Sequence, residues 1–248
     1  MSRARVDALN RGQSLEYCPV LEELVRLRQV TGKTGKEFRD IGALSTINNL
    51  HTLRQLMLAL KPERTLEVGL SFGGSCLALT ATHRDLGHSQ GRQHVALDPF
   101  QSTVWDDCGI EMVARAGLEG FLDFRPEFSS IELPRLLSTG VRFGLVYVDG
   151  SHLFEEVFVD SFFAARLLEE GGVLAFDDST NLHVRKVLRF VRRNLRENLE
   201  ELDLSSFRAD GGRGLSYRIA KTFGGVQLTA FRRIGIIERK WNAPYRSF

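Results

Sequence analysis

From residue 63 onward, short apolar runs alternate with longer stretches whose apolar residues recur every three or four positions. The runs at 64–68, 93–97, 121–124, 143–148 and 172–176 predict strands, and the stretches at 73–84, 111–116, 151–168 and 182–195 predict helices. The runs at 143–148 and 172–176 are almost uninterrupted, the mark of strands covered on both faces of a parallel sheet. Repeated strand–helix units predict an α/β fold, a doubly wound and mostly parallel sheet with helices on both faces.

The pattern changes at both ends. Segments 199–204, 214–220 and 226–232 all read as strands, and Gly224-Gly225 suits a hairpin turn between the last two. An antiparallel C-terminal hairpin at the sheet edge is expected, making the sheet seven-stranded; which two of the three segments form it stays open. Ahead of the sheet, 19–30 predicts a short amphipathic helix. A second helix follows Ser45, a candidate cap, with Ile47, Leu50, Leu53, Met57 and Leu60 at helical spacing and Lys61-Pro62 ending it. The expected division is an N-terminal helical cap segment, residues 1–62, and a sheet domain, residues 63–248.

Composition narrows the function classes. The 248 residues include 43% hydrophobic and 26% charged side chains with a net charge of +2, which demands neither nucleic acid nor an acidic membrane. No apolar run approaches the roughly 20 residues of a transmembrane helix, and the first ten residues lack the apolar core of a signal peptide. The three cysteines, Cys18, Cys76 and Cys108, are far apart and form no CxxC pair, which argues against a disulfide framework or a thiolate zinc site. A cytoplasmic protein acting on a small molecule is expected, with a homodimer as the expected assembly.

Candidate chemistry collects at the strand ends. Four of the five runs end in acid: Glu67, Asp98, Asp149 and the pair Asp177-Asp178. In an open α/β sheet these ends share one rim, where ligands bind, and gathered acids are costly there unless they meet something cationic. The first run leads into Gly69-Leu70-Ser71-Phe72-Gly73-Gly74-Ser75, a turn whose glycines let the backbone approach a ligand. It fails the dinucleotide fingerprint, which needs glycine at Ser71. A carboxylate at Glu67 suits a cationic or hydroxyl-bearing ligand better than a pyrophosphate, and Asp98 suits a ribose diol.

Glu67-x-Gly69, Gly73-Gly74-Ser75 and Asp98, each at its strand end, resemble the Rossmann-like (class I) methyltransferases that use S-adenosylmethionine (SAM). The resemblance covers about residues 45–195. It implies that the acid and glycines of the turn hold the methionine part of SAM and that Asp98 holds its ribose. The expected cofactor set is Glu67, Gly69, Ser71, Phe72, Gly73, Ser75, Asp98 and Asp149, with a core or turn role equally open for Phe72 and for Phe100. Asp149-Gly150-Ser151-His152 with Asp177-Asp178 resembles the metal-dependent O-methyltransferases of macrolide sugars, and more distantly the catechol-type enzymes. That likeness implies Asp149, Asp177 and Asp178 as ligands of a divalent metal and His152 as general base. A carboxylate set without cysteine suits Mg²⁺. Read without the resemblance, His152 is equally a helix-start residue behind the candidate cap Ser151, and Asp177 equally a turn residue. A metal-free methyltransferase and a SAM-binding relative without transfer activity stay open as rival readings.

Other features carry less. Gly32-Lys33-Thr34-Gly35-Lys36 is not a P-loop, because Glu37 stands where Ser or Thr is needed; a mobile loop near the site entrance is expected. Arg185, Arg189, Arg192, Arg193 and Arg196 fall on one helix face opposite Val184, Leu188, Val191 and Leu195, a solvated basic face. Arg232, Arg233, Arg239, Lys240 and Trp241 are candidates to cover the site or a partner subunit.

Overall fold

The computed structural model of the protein describes residues 15–39, 41–208, 217, 219, 225–238, 241–244 and 246–248. Helix α1 (Pro19–Leu27) leads into a two-stranded antiparallel hairpin, β1 (Gln29–Thr31) and β2 (Glu37–Arg39), and then into α2 (Ile47–Leu60). The main unit follows as β3 (Thr65–Val68), α3 (Gly74–Asp85), β4 (His94–Leu97), α4 (Cys108–Arg115), β5 (Leu122–Arg125), α5 (Ser129–Ser138), β6 (Phe143–Val148), α6 (Phe154–Leu167), β7 (Leu168–Phe176) and α7 (Leu182–Asn194). It closes with β8 (Leu199–Glu201) and β9 (Thr229–Arg233).

Seven strands form one sheet in the order β5-β4-β3-β6-β7-β9-β8. The pairs from β5 to β7 are parallel, and β9 runs antiparallel to both β7 and β8. The expected seven-stranded, mostly parallel sheet with an antiparallel end is therefore present. Of the three candidate edge segments, the first and third supply β8 and β9. Residues 214–220 and Gly224 lie almost wholly outside the described residues. Because β4 and β5 extend to one side of β3 while β6 and β7 extend to the other, the strand order reverses between β3 and β6. Ligands bind at such a switch point, beyond the carboxyl ends of the strands.

The pleat sorts the strand side chains between two layers. Leu66, Val68, Val146, Val148, Leu174 and Phe176 face α5, α6 and α7, in one core with Val157, Val184, Leu188 and Val191. Leu145, Tyr147, Val173 and Ala175 face the other way, with Leu53, Leu56 and Met57 of α2. Phe143, Phe176 and Phe231 are fully buried, each stabilising the fold by about 1.5–3 kcal/mol relative to exposure. On α7 the apolar face is buried and the arginines are exposed, as expected, and Arg192 is paired with Glu201 through two hydrogen bonds of 2.6 and 2.7 Å.

Several local expectations change. Helix α1 stops at Leu27 because Arg28 turns left-handed, and its tail instead begins β1. The cap of α2 is Thr46, whose hydroxyl accepts from the Asn49 amide, leaving Ser45 free for another role. The 32–36 segment is the tip of the β1–β2 hairpin, where the Thr34 amide and hydroxyl both donate to Asp106, at 3.0 and 2.9 Å. Helix α5 has no counterpart in the sequence reading, because Pro134 inside it lacks an amide hydrogen and reads as a breaker. Arg239 and Lys240 lie outside the described residues, while Trp241 is fully exposed.

Candidate active site

The glycine turn is built by close backbone approach. Gly69 has φ +94°, and a Cβ there would lie 2.3 Å from the Asp149 carbonyl oxygen, so only glycine lets the ends of β3 and β6 meet. Two residues on, Ser71 takes φ +46°, the left-handed conformation that glycine fills in the dinucleotide motif. Asp98 fixes this turn. One of its oxygens accepts from the Leu70 and Ser71 amides at 3.2 and 2.8 Å and from Gln101 Nε2 at 3.0 Å. Its other oxygen accepts from the Phe100 amide at 2.8 Å and keeps capacity for a further donor. Gln101 Nε2 also donates to the Ser71 carbonyl at 2.7 Å, so one side chain clips the turn to the end of β4.

Beyond this turn lies a cavity of about 410 Å³, within the roughly 300–1,000 Å³ of small-molecule sites. Gly69, Ser71, Gly74, Ser75 and Asp98 line one part of it, and Asp149, His152, Asp177 and Asp178 line another. The strand-end acids after β4, β6 and β7 thus converge as expected.

The acids differ in what they do. Asp177 is nearly saturated: Asn49 Nδ2 donates to it at 2.8 Å, the Asp178 amide at 2.7 Å, and the Tyr147 hydroxyl donates to its second oxygen. Asp149 accepts from the Ser45 hydroxyl at 3.1 Å, and the oxygen of the same Tyr147 hydroxyl lies 3.1 Å from it. Burial, reinforced by the charges of Asp177 and Asp178, holds the Asp149 carboxyl well above the usual carboxylate range. Burial likewise raises Asp177. His152 Nε2 lies 2.7 Å from Asp178, whose other oxygen accepts from Gln227 at 3.3 Å. Asp149, His152 and Asp178 each offer a donor atom within 4.8 Å of the others.

Three expected cofactor residues do not line the cavity. Glu67 is wholly buried on the α3 side of the sheet, 3.1 Å from His94 Nε2 and grouped with the Cys76 thiol. Strand parity is the reason: the neighbouring Val68 faces the cavity, so Glu67 points to the opposite face. Burial, followed by the Glu67 charge, pushes the Cys76 thiol far up. Phe72 is buried, edge-to-face with Phe38 at 5.4 Å and Trp105 at 4.9 Å between ring centroids. Gly73 packs on Gly109 as the residue before α3.

Ser45, Tyr147, Asn49, Gln101 and Gln227 were not among the sequence candidates. Ser45, Asn49 and Gln227 reach the acids only through contacts distant in the chain, as Tyr147 does to Asp177, while Gln101 lies three residues from Asp98; only the polar Tyr147 within an apolar strand carried a signal.

A family model described as a methyltransferase domain matches residues 66–179, from the first residues of β3 to the turn after Asp178. The matched segment and the sheet order together give the α/β methyltransferase fold. No curated protein matches the chain in sequence. Among solved structures, the chain is similar to the O-methyltransferase TomG of tomaymycin synthesis from Streptomyces achromogenes, in complex with SAM. The identity is 16% and the TM-score 0.59, over 79% of this chain and 83% of that one. It is also similar to an O-methyltransferase from Bacillus cereus in complex with SAH, S-adenosylhomocysteine, at 16% identity and TM-score 0.59 over 88% and 91% of the two chains. The SAH-bound methyltransferase PaMTH1 from Podospora anserina matches at 18% identity and TM-score 0.61 over 94% and 97%. At these identities the likeness is one of fold. No helix among the described residues is long and apolar enough to cross a membrane.

Proposed function

We propose that the chain transfers a methyl group from SAM to a hydroxyl oxygen of a small molecule, with His152 taking the hydroxyl proton. The observation that carries this reading is that the glycine turn with Asp98 and the Asp149–His152–Asp178 cluster open into one cavity. Solved O-methyltransferases of the same fold, bound to SAM or SAH, support the choice of cofactor and acceptor.

In this reading the methyl carbon leaves the sulfonium sulfur as the C–S bond breaks and the O–C bond forms, and SAH departs. Ser71 and Ser75 orient the amino-acid end of SAM, while the free acceptor capacity of Asp98 takes a ribose hydroxyl. The substrate proton passes to an imidazole nitrogen of His152. Asp178, 2.7 Å away, orients that ring and stabilises the imidazolium. A base so positioned contributes about 10²–10⁴ in rate, and holding the acceptor oxygen in line contributes further.

The donor set fits a hard divalent ion. Asp149 and Asp178 offer carboxylate oxygens; burial first, and then the neighbouring negative charge, raise Asp149, and a dication offsets that charge. Mg²⁺ is commonly held by one or two carboxylates, its other positions taken by water and substrate. Because Asp177 is already engaged by Asn49, Tyr147 and the Asp178 amide, we assign the ion to Asp149 and Asp178, with Asp177 positioning them. When bound, the ion lowers the pKa of a coordinated hydroxyl. The short His152–Asp178 contact also supports a metal-free variant, in which that pair alone forms the base.

Calorimetric titration with SAM, with Mg²⁺ and with EDTA, followed by methyl transfer to a panel of sugar and phenol hydroxyls, tests the proposal. SAM binding with Mg²⁺-dependent transfer is expected; transfer surviving EDTA selects the metal-free variant. Absence of SAM binding overturns the reading. A reducing cytoplasm is the proposed compartment, supported by three buried cysteines without disulfides.

A further inference from the structure

We propose that Glu67, Cys76 and His94 form a structural site for one zinc ion in the core beside the glycine turn. It is separate from the acids of the rim and does not depend on the SAM reading.

Three of the seven buried side-chain polar atoms that lack a hydrogen-bond partner among the described residues stand together here: both Glu67 oxygens and His94 Nε2. Orphaned buried atoms of this kind need a partner, and an ion is one that satisfies all three. Glu67, Cys76 and His94 are each 0% exposed, and one donor atom from each lies within 4.8 Å of the others. His94 Nε2 is 3.1 Å from Glu67 Oε1, near enough for a hydrogen bond but not aligned as one. Two ligands held about 2.0–2.1 Å from a tetrahedral zinc stand about 3.3 Å apart, so this is the spacing of neighbours around an ion. The second Glu67 oxygen is free to take the fourth position.

The donor chemistry names the ion. Thiolate and imidazole suit zinc, whereas Mg²⁺ and Ca²⁺ take oxygen ligands. A dication with the Glu67 carboxylate, the Cys76 thiolate and a neutral His94 sums to zero charge, which suits a dry core. Without the ion, burial and then the Glu67 charge keep the Cys76 thiol protonated; coordination removes that proton. On the far side of the ring, His94 Nδ1 lies 2.8 Å from the Thr65 hydroxyl, which lies 2.8 Å from the neutral His83 Nε2. With Nδ1 donating to Thr65 and Thr65 donating to His83, the Nε2 lone pair is left for the ion and the ring is held in place. The ligands come from β3, the first turn of α3 and the start of β4. No CxxC spacing announces them, and the ion is enclosed as the chain folds. It ties together the elements on either side of the glycine turn.

Elemental analysis of the full chain, expressed in zinc-supplemented medium and dialysed against EDTA, tests this. One zinc per chain is expected to survive dialysis of the folded protein and to be released when the protein is unfolded in the chelator. Cys76→Ala is expected to lose the zinc, and Cys76→Ser, which keeps nearly the same volume, carries the same expectation if the alanine variant does not fold. Asp149→Asn is expected to retain it. Wild type refolded with Co²⁺ is expected to show a thiolate-to-cobalt charge-transfer band that Cys76→Ser lacks. A wild type that carries no zinc and gives no such band overturns the assignment. Zinc retained equally by the Cys76 variants overturns it too, as does zinc that Asp149→Asn loses and Cys76→Ser keeps.

Discussion

His152 Nε2 stands 2.7 Å from the Asp178 carboxylate, although one follows β6 and the other follows β7. The parallel pairing of those strands, with Val148 opposite Phe176, brings their two turns together. The proposed base and the acid proposed to orient it thus follow adjacent strands. Substituting His152→Ala should lower kcat by about 10²–10⁴ and leave SAM affinity within about twofold. Unchanged turnover, measured by radiolabelled methyl transfer, would remove His152 as the base.

Asp98 holds three backbone amides and Gln101 at once. Asp98→Ala should therefore do two things: weaken SAM binding by tenfold or more, and destabilise the fold by about 1–3 kcal/mol through orphaned donors. Calorimetric titration and urea unfolding read the two effects separately. A variant with wild-type affinity would show that ribose recognition lies elsewhere.

Gly69 and Gly117 give a matched comparison. Both have positive φ, +94° and +66°, but a Cβ at Gly69 meets the Asp149 carbonyl at 2.3 Å while one at Gly117 meets nothing within 4 Å. Gly117→Ala should cost about 1–2 kcal/mol, the left-handed penalty alone. Gly69→Ala should cost about 1–3 kcal/mol more, because the ends of β3 and β6 must part. Equal losses in thermal unfolding would contradict the close approach.

Asp160 makes stability depend on pH. Its folded carboxyl is raised to about 6, above the ordinary value of about 3.9 in an unfolded chain. The native state therefore holds the proton more tightly, so this contribution is fully present below about pH 4 and is lost as pH rises through about 6. In the cofactor-free protein, Asp160→Asn should match the wild type near pH 4 and exceed it at pH 8 by up to about 3 kcal/mol. Urea unfolding at the two pH values checks both the sign and the window.

The alternation of apolar runs, the acids that end them and the glycine turn were legible one element at a time. Strand β6 is predicted with its observed bounds, because six consecutive buried residues leave no other period to read. Helix α5 was hidden by Pro134, and the buried chain from Glu67 through His94 and Thr65 to His83 was invisible. Thr65 bonds His83 and His94, both at 2.8 Å, across sequence separations of 18 and 29. Burial, with the neighbouring His94 and His88, lowers the His83 pKa to about 3, so a residue that looks titratable in the sequence stays neutral in the fold.

The order of strands and helices, the identity of the rim acids and the need for glycine at the first turn belong to the sequence, because local periodicity and backbone sterics act within a few residues. Which acid faces the cavity was decided only by tertiary structure. One step along a pleated strand sends Val68 to the cavity and Glu67 into the core. Whether a carboxylate is free or engaged depends on partners such as Ser45, Asn49 and Tyr147, which the folded sheet and α2 bring together.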